Sequence, residues 1–227
     1  MATRELTFLL AGPERRLLCA IAARLPARIR SNHLTVLGVL GAVGAGAAYA
    51  LSAWHPAWLW AASACLAVNW FGDSLDGTLA RVRHAERPRY GYYLDHSVDA
   101  FSTAMIGLGL GLSPYVDFGL ALGLVLAYLV LSINVYLESA VFGAFRLGYG
   151  RLGPTEVRLI LVAGNTGLAL SRGLTAPIEL IANAVLALAL VGMIGMVAVR
   201  FGRNLRALAK MEPQRRSASS PGGSFPG

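Results

Sequence analysis

Six stretches of this chain stay apolar for about as long as a helix needs to cross a bilayer, roughly 20 residues. They cover residues 34–54, 56–75, 91–112, 115–141, 154–171 and 177–199. In hydrocarbon each backbone N–H and C=O must find its partner inside the segment, so each stretch is predicted to be a helix. Composition agrees: 56% of residues are hydrophobic, only 14% are charged, and the mean hydropathy is +0.56. The predicted fold class is an all-α integral membrane protein with six transmembrane helices, preceded by an N-terminal interfacial amphipathic helix.

The net charge is +8. In a soluble chain that balance would suggest nucleic acid; here its distribution argues against a nucleic-acid partner. Basic residues fall before the first stretch (Arg4, Arg15, Arg16, Arg24, Arg28, Arg30) and between the second and third (Arg81, Arg83, Arg87, Arg89). They recur before and at the start of the fifth (Arg146, Arg151, Arg158) and after the sixth (Arg200, Arg203, Arg206, Lys210, Arg215, Arg216). With six spans all of these lie on one side, and Arg172 alone lies on the other. The positive-inside rule then predicts that both termini are cytoplasmic.

Residues 1–33 are read as a cytoplasmic juxtamembrane segment. From Pro13 on, Leu17, Leu18, Ile21, Ala22 and Leu25 alternate with Arg15, Arg16, Arg24 and Arg28, the pattern of a helix lying in the membrane interface. Residues 34–210 form the predicted membrane domain, and 211–227, rich in Ser, Pro and Gly, a disordered cytoplasmic tail. The first span carries Gly38, Gly41, Gly44 and Gly46, small residues that let membrane helices approach closely. Cys19 and Cys65 belong to no metal or redox motif and are expected to be free thiols. No cleavable signal-peptide pattern is expected at the N-terminus.

Against this background four aspartates stand out: Asp73, Asp76, Asp95 and Asp99. A carboxylate within the membrane costs at least about 2.5 kcal/mol, and four close together repel one another. Bound divalent metal is the simplest compensation. Residues three and four apart share a helix face, so Asp73, Asp76, Gly77, Ala80 and Arg81 line one stripe and Gly91, Asp95 and Asp99 another. The connecting loop is short, so the two helices are expected to be neighbours facing one cytoplasmic cavity. Oxygen donors suit Mg²⁺ or Mn²⁺, and four carboxylates could hold two ions.

The full pattern is D-x2-D-G-x2-A-R, nine residues, then G-x3-D-x3-D. It resembles the signature of the CDP-alcohol phosphotransferases, integral membrane enzymes of phospholipid synthesis. The motif spans Asp73 to Asp99, and all eight signature positions are filled. The resemblance implies transfer of a phospho-alcohol group from a CDP-alcohol donor to a hydroxyl acceptor, with release of CMP. It implies Asp73, Asp76 and Asp95 as metal ligands, and Asp99 as ligand, general base or both. Gly77, Ala80 and Gly91 would leave room for the nucleotide, and Arg81 would pair with phosphate oxygens. Asn32 and Thr35 are similar to an Asn-x-x-Thr of the family placed near the nucleotide; as an alternative, Asn32 caps the first span. The resemblance also implies a homodimer, and the expected location is a cytoplasmic membrane of bacterial type.

Two donors remain open: CDP-diacylglycerol with a small polar acceptor, or CDP-choline or CDP-ethanolamine with diacylglycerol. The second rests on the string from Asp95 and His96 to Ser102, which is similar to that branch; a packing role for His96 is the alternative. A divalent-cation transporter is a reading from another class. Asn69 and Gly72 could face the cavity, as could Asn134 and Glu138. Arg146, Arg151, Glu156 and Arg158 could hold a phosphate-bearing acceptor or simply be positive-inside charge. Tyr90, Tyr92 and Tyr93 read as interfacial anchors.

Overall fold

A computed structural model describes residues 11–142, 153–170 and 176–212. Among them every regular element is a helix: α1 (Ala11–Arg24), α2 (Ser31–Leu51), α3 (Trp58–Val82), α4 (Pro88–Gly111), α5 (Phe118–Phe142), α6 (Pro154–Leu170) and α7 (Ala176–Met211). Helices α2 to α7 overlap the six apolar stretches, but none keeps both predicted bounds, and three of the shifts matter here. Helix α3 continues past residue 75 to Val82, so the whole first half of the aspartate motif is helical. Helix α4 starts at Pro88, a residue suited to the first turn of a helix. Helix α7 runs on to Met211, past the predicted end at 199. Residues 213–227, and with them most of the predicted tail, lie outside the described residues, as do Arg146, Arg151 and Arg172.

By length and composition three helices can cross a membrane: Ser31–Leu51, Phe118–Phe142 and Glu179–Met211. Helices α3 and α4 carry the aspartates and one arginine each, Arg81 and Arg89, which lowers their apolar character. Helix α6, with 17 residues, is about 26 Å long, slightly short of the roughly 30 Å hydrocarbon layer.

Small residues set the packing. On α2, Gly38 and Gly41 meet the α3 backbone at Asn69, Gly72 and Asp73, while Gly46 meets Met105 and Gly109 of α4. Gly72, a candidate for the cavity wall, is instead buried against Leu34 and Gly38. Further contacts join α4 to α5, α5 to α7, α3 to α6 and α1 to α3. One core cluster unites Ala45, Ala48 and Tyr49 with Leu59, Ala62 and Leu66. A second unites Leu18 and Ala22 of α1 with Leu34, Leu75 and Leu79. Part of the apolar stripe of α1 is therefore spent on α3, while Arg15, Arg16 and Arg24 are exposed. Both cysteines are free, as expected.

Local signals explain the ends nearest the motif. Helix α3 stops where His84 takes a left-handed conformation (φ 51°). The N–H of Ala85 bonds back to Ala80 O at 2.9 Å and that of His84 to Arg81 O at 3.1 Å, a Schellman closure with histidine in the usual glycine position. Arg83 then donates to the carbonyls of Leu25, Pro26 and Ile29, pinning the α1–α2 turn to the end of α3. At the start of α6, Glu156 Oε2 accepts from Gly153 N at 2.9 Å. Glu156 thus satisfies the cap of α6, in the manner of the reciprocal half of a capping box.

Candidate functional site

The four aspartates come together where α3 and α4 each pack against α2, and not mainly against one another as the short loop between them suggested. Asp73 and Asp95 both lie close enough to Asp76 and to Asp99 to act on them electrostatically. Asp95, His96 and Asp99 each offer a ligand atom within 4.8 Å of the others. Oxygen donors with one imidazole fit a hard divalent cation. The charge also fits: Arg158 supplies one positive charge, on Asp73, where four carboxylates meet. A pair of ions held by Asp73, Asp76, Asp95 and Asp99 would offset the rest.

Of the two predicted partners on α2, Thr35 reaches this array and Asn32 does not. Thr35 Oγ1 donates to Asp76 Oδ2 at 2.6 Å, and Gly77 N donates to Asp76 Oδ1 at 2.5 Å. Asp76 is therefore held at both oxygens, one by another helix and one by its own. Asn32 is not the cap of α2, because the helix begins at Ser31 with Arg30 in the cap position. It is exposed and ties together the first turn of α4: its Nδ2 donates to Tyr90 Oη at 3.1 Å and its Oδ1 accepts from Arg87 at 3.2 Å. The Arg87 guanidinium lies over the Tyr90 ring at 3.8 Å. Tyr90, read from sequence as an interfacial anchor, belongs to this cluster, and Arg87 had no signal beyond its charge.

Gly91 is exposed, and a methyl group there would meet nothing within 4 Å. At Gly77 it would meet only the Arg81 guanidinium, at 3.4 Å. Ala80 is half-buried beside them. Arg81 bonds Thr78 Oγ1 at 2.9 Å and is exposed at the end of α3.

Arg158 of α6 reaches furthest into the array. Its guanidinium bonds Asp73 Oδ2 at 2.8 Å and Asn69 Oδ1 at 3.0 Å. Asn69 is buried, and its Nδ2 donates to Gly38 O at 3.0 Å, so it steadies Arg158 from behind. Between α1, α3 and α6 lies a cavity of about 420 Å³, with Leu17, Leu66, Leu159 and Val162 in its walls and Glu14 and Arg158 also lining it. Of two further sequence candidates, Glu138 sits elsewhere and His96 lies beside Asp95 and Asp99. Glu138 forms a two-point ion pair with Arg200 of α7 (2.6 and 3.2 Å) and accepts from Asn204. His96 stacks on Tyr136 at 4.8 Å between centroids and meets Tyr92 edge-on at 4.3 Å.

A phosphatidylinositol phosphate synthase of Cutibacterium acnes (strain DSM 16379 / KPA171202) is 35% identical to this chain over 92 residues, 40% of this chain and 41% of that protein. The alignment thus spans well under two thirds of the relative. The family model described as CDP-alcohol phosphatidyltransferase matches residues 28–202, which include α2 to α6 and the aspartate array. On that match the chain belongs to the CDP-alcohol phosphatidyltransferase family, enzymes that transfer phosphate-containing groups.

Proposed function

We propose that this protein is a divalent-metal-dependent membrane phosphatidyltransferase that takes CDP-diacylglycerol as donor and a phosphorylated polyol as acceptor. The observation that carries the reading is the convergence of Asp73, Asp76, Asp95 and Asp99 from two helices, with Thr35 holding Asp76 in place. The acceptor class follows from the partial likeness to a phosphatidylinositol phosphate synthase, and Arg158 is suited to its phosphate.

In this reading α2 to α7 are six spans, both chain ends and the site face the cytoplasm, and the enzyme is a homodimer of a bacterial cytoplasmic membrane. Asp73, Asp76 and Asp95 hold Mg²⁺ or Mn²⁺, with Asp99 as a further ligand. When bound, the ions would neutralise the donor's pyrophosphate and stabilise the departing phosphate. Asn32, Arg87 and Arg81 orient the nucleotide end, and Gly77, Ala80 and Gly91 leave it space. The acceptor hydroxyl gives its proton to Asp99 as its oxygen bonds to the phosphorus that carries diacylglycerol. The bond from that phosphorus to the bridging oxygen breaks, and CMP leaves with the electron pair.

The choline or ethanolamine reading rested on the string from Asp95 and His96 to Ser102, and within it stacking with Tyr136 and Tyr92 gives His96 a packing role. A transporter needs polar groups along its full path, and the acidic array occupies one end of α3 and α4 only.

The test is CMP release by the purified full-length protein in detergent. It would compare CDP-diacylglycerol plus polyol phosphates or unphosphorylated polyols with CDP-choline plus diacylglycerol, each with Mg²⁺ and with chelator. Metal-dependent release with a polyol phosphate is the expected result. Release only with diacylglycerol as acceptor, or release undiminished by chelator, would overturn the reading.

A further inference from the structure

Glu14, on α1, is bonded to two other helices through one oxygen atom. Its Oε1 accepts from Trp70 Nε1 at 2.7 Å and Ser74 Oγ at 3.3 Å on α3, and from Thr155 Oγ1 at 2.9 Å on α6. A carboxylate oxygen offers about two lone-pair sites, so the three donors share them.

The places joined are those that matter to the site. Trp70 and Ser74 flank Asp73 on its own turn of α3. Thr155 lies one turn before Arg158 on α6 and on the same side of the helix. The Glu14 bridge and the Arg158–Asp73 contact of 2.8 Å therefore clamp the same pair of helices at the same level. Among the described residues, α6 is also tied to the bundle further along its length. Asn165, which bonds Tyr49 and Ser63 at 3.1 Å each, lies about 10 Å further along the helix axis and cannot fix the end that carries Arg158. Helix α1 is itself held by the burial of Leu18 and Ala22 against Leu75 and Leu79, so Glu14 acts from a seated position.

We infer that Glu14 is a positioning residue: by bridging α3 and α6 it sets the reach of Arg158 to the aspartates and thereby acceptor binding. Glu14 touches none of the aspartates and acts through Thr155 and its helix. The inference rests on the function proposed above, in which Arg158 meets the acceptor's phosphate.

The test uses full-length Glu14→Ala, Glu14→Gln and Thr155→Val, with CMP release measured against each substrate in turn. Loss of the bridge should raise the acceptor KM on the order of tenfold, the scale of a hydrogen bond to a charged group, in Glu14→Ala and Thr155→Val alike. The KM for CDP-diacylglycerol should hold. Glu14→Gln should stay near wild type, because its carbonyl oxygen still accepts. Thr155→Val removes only the α6 arm and decides the matter should Glu14→Ala fail to fold. An unmoved acceptor KM in Thr155→Val, or donor and acceptor constants worsening together, would overturn the inference.

A second readout is independent of turnover. Spin labels at Val157 and Val82, both on exposed positions, in a chain with Cys19 and Cys65 replaced, should show a broader α3–α6 distance distribution in Thr155→Val. An unchanged distribution sinks the positioning role even if the wild type releases CMP. A wild type that releases none with any pair sinks the transfer reading instead, whatever the distances show.

Discussion

Gly41→Ala tests whether the α2–α3 spacing sets both stability and site geometry. A Cβ at Gly41 would lie 2.5 Å from Asn69 N and 2.9 Å from both Asn69 Cα and Cys65 O. All three are backbone atoms, so no side chain can swing aside. Restoring ordinary contact near 3.5 Å requires the helices to part by roughly 0.5–1 Å. Overpacking of this kind costs about 1–3 kcal/mol, against which the better helix propensity of alanine returns about 1 kcal/mol. A net loss of about 1 kcal/mol is expected. The site suffers more. Thr35 and Asp76 bridge the same two helices at 2.6 Å, and widening by that amount carries the pair toward or beyond the usual limit of about 3.0 Å for O–H···O. A 1 Å misplacement can cost about 10²-fold in rate. The assay is thermal unfolding in detergent beside CMP release. Gly167→Ala, whose methyl group would meet nothing within 4 Å, is the control that should gain about 1 kcal/mol from helix propensity and keep wild-type turnover. If Gly41→Ala melts and turns over like the control, helix spacing does not set the site and the argument fails.

Three further outcomes follow from named contacts. Asp99→Asn should abolish turnover while nucleotide binding, measured by calorimetry with CDP-diacylglycerol, survives; normal turnover would remove Asp99 as base. Arg81→Ala should weaken donor binding in the same measurement, and an unchanged affinity would place Arg81 outside the site. His84→Gly should stabilise the protein by about 1 kcal/mol, because a left-handed residue with a Cβ carries strain of that order; a lowered melting temperature would mean that the His84 side chain contributes more than its backbone costs.

The helices and the aspartate array were legible in the sequence because both are periodic. Apolar runs of membrane length mark where helices lie, and aspartates at spacings of three and four share a face whatever surrounds them. Thr35 was found through its family pattern, and its bond to Asp76 gives that pattern a physical purpose. What periodicity misses is pairing across helices distant in the chain. Asn69 looked like a cavity residue and proves to be a support for Arg158, which lies 89 residues further on. Gly72 looked like the cavity wall and is a contact with α2. Glu156 looked like part of a charge cluster and caps its own helix, a role that Gly-Pro followed by Thr-Glu at a helix start could have signalled.

Glu14 gave the least warning, since an acidic residue beside Arg15 and Arg16 reads as ordinary surface charge. Its partners Trp70, Ser74 and Thr155 each have commonplace reasons to stand where they do, and nothing local joins them. Their convergence depends on α1 lying across α3 and α6, which follows from Leu18 and Ala22 being small or slim enough to bury against Leu75 and Leu79. The same logic holds at Gly41, where absence of a side chain brings Asn69 within reach of Gly38 and so steadies Arg158. In both cases an apolar or backbone contact remote from the aspartates fixes a polar one beside them. Substitutions in these packing contacts should therefore lower turnover before they unfold the chain, whereas substitutions on the outward apolar face of α7, such as Leu188→Ala at 74% exposure, should leave both untouched.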